Sequence, residues 1–255
     1  MLKSDKLLNS FAVPAELGKR LVGLKSSGYK DYLAARILFN QNELHQACFF
    51  ANTCIEKELK ACLYALNVEV SKKSHDTINL YNTLLFRNKA LAEILNKEFI
   101  KVLSKIYRSR YYESLEANYN FVIIKNKFLA ELDYTYSTLE AKVRYKTGST
   151  SELIEPLYSS QIKLKNSSLF LNNYVLNNIK KEEFLKNRDM VHEFRMHFNH
   201  ETFEAVYEIP YNPNVDFIFE GLKPDTNSSF IVSHKFPNLK VSAIRNGELQ
   251  IVNPE

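Results

Sequence analysis

The stretch Ala47–Leu66, ACFFANTCIEKELKACLYAL, limits the fold of this chain more than any other. Leu44, Cys48, Ala51, Ile55, Leu59, Cys62 and Leu66 recur at steps of three and four, the apolar seam of a long amphipathic helix. Away from that seam stand Glu56, Lys57 and Lys60, and Glu56 and Lys60 have the i,i+4 spacing of a helix-surface ion pair. All three cysteines, Cys48, Cys54 and Cys62, fall in this helix at spacings too wide to be bridged. They read as small buried hydrophobes in a reducing compartment, so a cytoplasmic protein is expected. No apolar run approaches a membrane span, and MLKSDKLLNSFAV lacks the apolar core of a signal peptide.

Further seams flank this helix. Tyr29, Leu33, Ile37 and Phe39 open a first helix, which NQNE breaks. SKKSHD is a loop, with Ser74 or Asp76 as the cap of the next helix. Leu91, Leu95, Phe99, Val102 and Ile106 form another seam; Phe121, Ile124, Phe128, Leu132, Tyr136, Leu139 and Val143 form the longest. Gly148 in KTGSTSE is read as a helix stop. Beyond residue 204 the period becomes two, in VDFIFEG, SSFIVSH, LKVSAIR and ELQIV, and Asn246-Gly247 is a hairpin signal. The expected architecture is mainly α, an up-and-down helical bundle with a small C-terminal antiparallel β extension. Four segments are expected: an N-terminal segment 1–22, the bundle 23–146, an additional helical region 147–204 and a β-rich extension 205–255.

Six glycines in 255 residues, with no Walker or dinucleotide fingerprint, argue against a fold built on glycine-rich phosphate loops. The net charge of +5 permits an anionic partner without requiring one. The charge is unevenly placed. Lys97, Lys101, Lys105 and Arg108 step by four, four and three, and so share one helix face. Arg110 continues it, Tyr107, Tyr111 and Tyr112 are interleaved, and Glu98 is the one acid between Lys97 and Arg110. Aligned cations beside aromatic rings suit a phosphate backbone with bases to stack. A solvated helix face is the plainer alternative.

The segment NRDMVHEFRMHFNHE, residues 187–201, concentrates histidine. His192-Glu193 and His197 are one residue too widely spaced for a zinc HExxH, and no metal site or cofactor is assigned. His45 reads as structural. No serine elbow or paired-carboxylate site is present in the sequence.

Taken together, GYKDYLAARILFNQNELHQACFFANTCIEKELKACLYALNV, SHDTINLYNTLL and IYRSRYY resemble a HEPN domain (higher eukaryotes and prokaryotes nucleotide-binding) over roughly residues 23–145. The matching residues are Asp31, Ala34 and Ala35, His45 through Phe50, and Ile55-Glu56-Lys57 with Leu59-Lys60-Ala61. His75-Asp76 with Leu80, then Tyr107 and Arg110-Tyr111, complete the order, with Tyr112 where the family has proline. The resemblance implies a bundle that pairs into homodimers. It also implies a module that binds RNA, a nucleotide or a nucleotide-modifying partner. A nucleotidyltransferase or antitoxin partner, and a toxin–antitoxin or phage-defence setting, are implied in the same way. The nucleotide-binding candidates are Lys97, Lys101, Lys105, Arg108, Arg110 and Tyr111, with Glu56, Lys57 and Lys60.

HEPN ribonucleases cut RNA without metal, using an arginine on the phosphate and a histidine that moves a proton. Arg195 and His200 have the family spacing, with Met196 where a polar residue is expected. Arg188 has the polar neighbour Asp189, and His192 arrives one residue early. The helix following Arg110 has no histidine. A binding module is therefore the expectation; the alternatives are a metal-independent endoribonuclease and a structural subunit of a larger assembly.

Overall fold

The computed structural model describes residues 11–71, 75–110, 119–147, 154–196, 202–211, 241–245 and 248–252. A first helix, α1 (Ala15–Asn40), and a second, α2 (Leu44–Ala65), form an antiparallel hairpin. The turn between them is only three residues long, and Asn42 adopts the left-handed conformation there (φ 65°). α1 begins eight residues before the expected bundle boundary at residue 23. Pro14 sets this start, since a residue with fixed φ and no N–H precedes a helix at no cost.

α2 is the centre of the molecule. Seventeen of its 22 residues are buried, so its seam is only part of what is covered. Glu56 and Lys60, expected on an exposed face, are buried too. The reason lies in neighbours on several sides: α1, then α3 (Thr77–Arg87), α5 (Lys97–Arg108) and α6 (Lys125–Lys142). Between α3 and α5, Lys89–Glu93 forms a short helix, α4. Asp76 caps α3, accepting from the N–H groups of Ile78 and Asn79, as expected. Asn88 and Asn96 cap α4 and α5 in the same way, and Asn96 divides what reads in sequence as one seam.

Polar side chains tie the hairpin to α6. Lys25 Nζ donates to Glu58 Oε2 at 2.6 Å and to Glu140 Oε1 at 2.8 Å, all three groups buried. Tyr32 Oη donates to Asp133 Oδ1 at 2.7 Å, and its ring stacks on Tyr136 with centroids 4.0 Å apart.

The sheet corrects two helical expectations. Phe121 and Ile124, expected to open the longest helical seam, lie in a strand, β2 (Tyr119–Ile124), and α6 starts only at Lys125. Phe121, Val122, Ile123 and Ile124 are all buried, and a short apolar run covered on both faces has no period to read. Within the expected helical region 147–204, only α7 (Leu157–Lys163), α8 (Ser167–Phe170) and α9 (Lys181–Phe184) are helices among the described residues. Asp189–Met196 is a strand, β4, paired antiparallel with β2 and with β5 (Thr202–Ile209). Two further strands, β6 (Val241–Arg245) and β7 (Glu248–Val252), flank the expected Asn246-Gly247 turn, in the sheet order β2-β4-β5-β6-β7. The antiparallel extension is thus anchored inside the bundle, because β2 runs directly into α6. A separate parallel pair joins β1 (Phe11–Val13) to β3 (Tyr145–Thr147). Gly148 lies outside the described residues.

Candidate functional site

The four cations of α5 occupy its outer face, as their spacing requires. Phe99, Val102, Leu103 and Ile106 are buried, whereas Lys97, Lys105 and Arg108 are exposed and Lys101 is half-buried. Asn96 starts the helix by accepting from the N–H groups of Glu98 and Phe99. Lys101 Nζ donates to Glu98 Oε1 at 2.6 Å. Partial burial, then the nearby charges of Lys101 and Arg108, lower the Lys105 pKa, which places these cations close enough to repel one another. A phosphate entering this face would relieve that repulsion. Arg110, also exposed, follows the helix end. Tyr111 and Tyr112 lie outside the described residues.

Aromatic rings stand beside the cations. Tyr107, half-buried on α5, meets Phe49 of α2 edge-on with centroids 6.3 Å apart, and Phe50 next to it is exposed. The end of α5 is fixed from within. Ser109 donates its hydroxyl to the carbonyl of Ile106 at 2.6 Å, so the His45 imidazole is the donor across the 2.8 Å contact from Nε2 to Ser109 Oγ. Burial, then the neighbouring His192, bring the His45 pKa down to about 4, and the ring is neutral. His45 is structural, as expected.

Glu56, Lys57 and Lys60 are brought together with groups not anticipated. Glu56 Oε1 accepts from Lys60 Nζ at 2.6 Å and lies 3.2 Å from His75 Nδ1. Lys57 turns away to Asp31, with 2.5 Å between Nζ and Oδ2. Arg108 Nη2 lies 3.6 Å from Asp76 Oδ2, joining α5 to the cap of α3. The sequence places His75 in a motif; its proximity to Glu56 arises only from the packing of α3 on α2.

Of the arginine–histidine candidates, Arg188 and His192 are not brought together. Arg188 is exposed, with Nη1 3.5 Å from Glu208 Oε2. His192 is buried in β4, its ring edge-on to His45 at 5.8 Å, with Nε2 2.6 Å from Glu204 Oε1. Four residues of extended chain span about 13 Å, so a pair that would be neighbours on a helix is separated on this strand. Arg195 pairs through its backbone register with Asn120 and Phe203, and His200 lies outside the described residues.

Elsewhere, an open groove of about 860 Å³ is lined by Glu93, Asn96, Tyr134, Tyr174, Ile179 and Lys180. Among the described residues no three His, Cys, Asp or Glu side chains are grouped to hold a metal ion. No described helix is long and apolar enough to cross a membrane.

Comparison with curated proteins and with solved structures yields no match. A family comparison does. Over residues 23–137, from within α1 to within α6, the sequence matches the family model of the HEPN domain, and this ties that segment of the chain to a nucleotide- or RNA-related family.

Proposed function

We propose that this protein is a non-catalytic module that binds RNA or a nucleotide through the outer face of α5 and its C-terminal end. The observation that carries the reading is the alignment of Lys97, Lys101, Lys105 and Arg108 on one solvent face, with the Phe49–Tyr107 pair beside its end. Cations spaced along a helix neutralise successive phosphates, and adjoining rings offer a stacking surface to unpaired bases. The burial of His45 and His192 supports binding over cleavage, since a proton-transfer group has to reach the scissile phosphate. The three free, buried cysteines support a cytoplasmic location, and the family resemblance supports a homodimer. The partner by that same argument is a nucleotidyltransferase or an antitoxin, in a toxin–antitoxin or defence setting.

The test is a triple variant in which Lys101, Lys105 and Arg108 become Gln. The buried side of α5 is untouched, so the fold is retained. RNA affinity falls, and the slope of log K against log salt flattens by roughly two, from three charges at about 0.7 each on a single strand. A folded triple variant with the parent's affinity and salt slope refutes the reading.

A further inference from the structure

The groove of about 860 Å³ lies where the basic face begins. Asn96, which caps α5 immediately before Lys97, also lines the groove, so the row of cations leads to its rim. One wall belongs to the segment that matches the HEPN model, with Asn96 at the start of α5 and Tyr134 on α6. The other wall, Tyr174 and residues 178–182, lies beyond residue 137 and so outside that match. The two walls are fastened together. Lys181 donates to Glu131 across them, and the Tyr174 ring stacks on Phe184 with centroids 5.7 Å apart. Asn178 takes the left-handed conformation (φ 54°) and turns the chain, and the next N–H, of Ile179, donates to the Tyr174 carbonyl at 2.9 Å.

The lining differs in kind from the α5 face. Tyr134 and Ile179 are 39% and 45% exposed, one on each wall, and give the groove apolar surface on both sides. Its charges balance instead of accumulating. Lys181 is matched by Glu131, Glu93 stands 3.5 Å from Lys89, and Lys180 and Glu182 add one charge of each sign. The amides of Asn96 and Asn178 add neutral hydrogen-bonding edges. An anion gains little from balanced charges, whereas a flat neutral ring with a polar edge meets an aromatic face and hydrogen-bond partners. The volume falls in the range of about 300–1,000 Å³ that encloses one small molecule.

We propose that this groove is a base pocket, taking one unpaired nucleobase of an RNA strand whose phosphates lie along α5. The inference rests on the reading that the α5 face binds phosphates, and it narrows the ligand to single-stranded RNA. The 12 residues of α5 extend over about 18 Å, and a strand that follows its cations to Lys97 arrives at Asn96 and the groove. There the base stacks on Tyr134 and packs on Ile179, and its amino and carbonyl groups meet the amides and Glu182. A duplex keeps its bases paired and stacked, and gives one up only at the cost of unpairing it.

The experiment measures, by fluorescence anisotropy over a range of salt, a short single-stranded RNA and copies of it that each lack the base at one position. One abasic copy binds the parent about tenfold more weakly than the intact strand, the size of one stacked base. Tyr134→Ala lowers affinity for the intact strand by the same factor and no longer distinguishes that copy from it. Tyr134→Phe keeps the ring and binds as the parent does. Neither variant alters the slope of log K against log salt, because no phosphate contact is lost, whereas the triple variant of Lys101, Lys105 and Arg108 flattens it. Ile179→Ala, on the other wall, gives the same pattern as Tyr134→Ala and decides the matter should Tyr134→Ala fail to fold. Equal affinity for the intact strand and every abasic copy, the result if the groove takes a free nucleotide or a peptide instead, overturns the inference and leaves the α5 reading standing. So does a folded Tyr134→Ala that keeps the parent's affinity and preference. Absence of RNA binding by the parent overturns both.

Discussion

The guanidinium of Arg36, fully buried in α1, is clamped on the carboxylate of Asp133 in α6, which also accepts from Tyr32 at 2.7 Å. The same guanidinium donates to the backbone carbonyl of Leu171, so one side chain fastens the first helix, the last bundle helix and the segment after α8. Arg36→Leu leaves Asp133 charged and buried without its main partner and is expected to cost about 3–5 kcal/mol. Urea unfolding of Arg36→Leu, Asp133→Leu and the double variant checks this. The double variant is expected to be more stable than Arg36→Leu alone. A single variant as stable as the parent would show that the clamp carries little.

The Lys25 cluster has one carboxylate more than it has cations. Burial outweighs the opposing charge of Lys25 and raises the Glu58 pKa from 4.5 to about 7. A carboxyl raised on folding holds a proton that the unfolded chain has lost. Its contribution is fully present below about pH 4.5 and is lost as pH rises through about 7. Tm is therefore expected to fall between pH 5 and 8, and the fall is expected to flatten in Glu58→Gln. An identical pH dependence of Tm in parent and variant would assign it to other groups.

Cleavage separates binding from catalysis. With excess EDTA, the parent, Arg195→Ala and His200→Ala are all expected to leave single-stranded and structured RNA intact. Metal-independent cleavage by the parent, leaving 2′,3′-cyclic phosphate and reduced by about a hundredfold or more in each variant, would make the protein a ribonuclease.

Assembly is open to a direct measurement. Val22 and Ile37 of α1 are exposed apolar residues, and a second copy is expected to cover part of the bundle. Sedimentation at micromolar concentration is expected to show a dimer; a strict monomer removes that expectation.

Local chemistry made much of the fold legible. The Ala47–Leu66 seam, the Asp76 cap and the strands either side of Asn246-Gly247 depend on residues a few positions apart, and sequence spacing alone determines such features. The outer placement of the α5 cations was readable for the same reason: a helix face is a local property. Packing decided the rest. Phe121–Ile124 became a strand because β4 was there to pair with it, and Arg188 and His192 were parted because their segment is extended rather than helical. Glu56 was buried and given His75 by helices that arrive after it in the chain. Buried charges such as Lys25, Arg36, Glu58 and Asp133 carry no signature in sequence, because a charge becomes structural only when partners 33 to 115 residues away close around it.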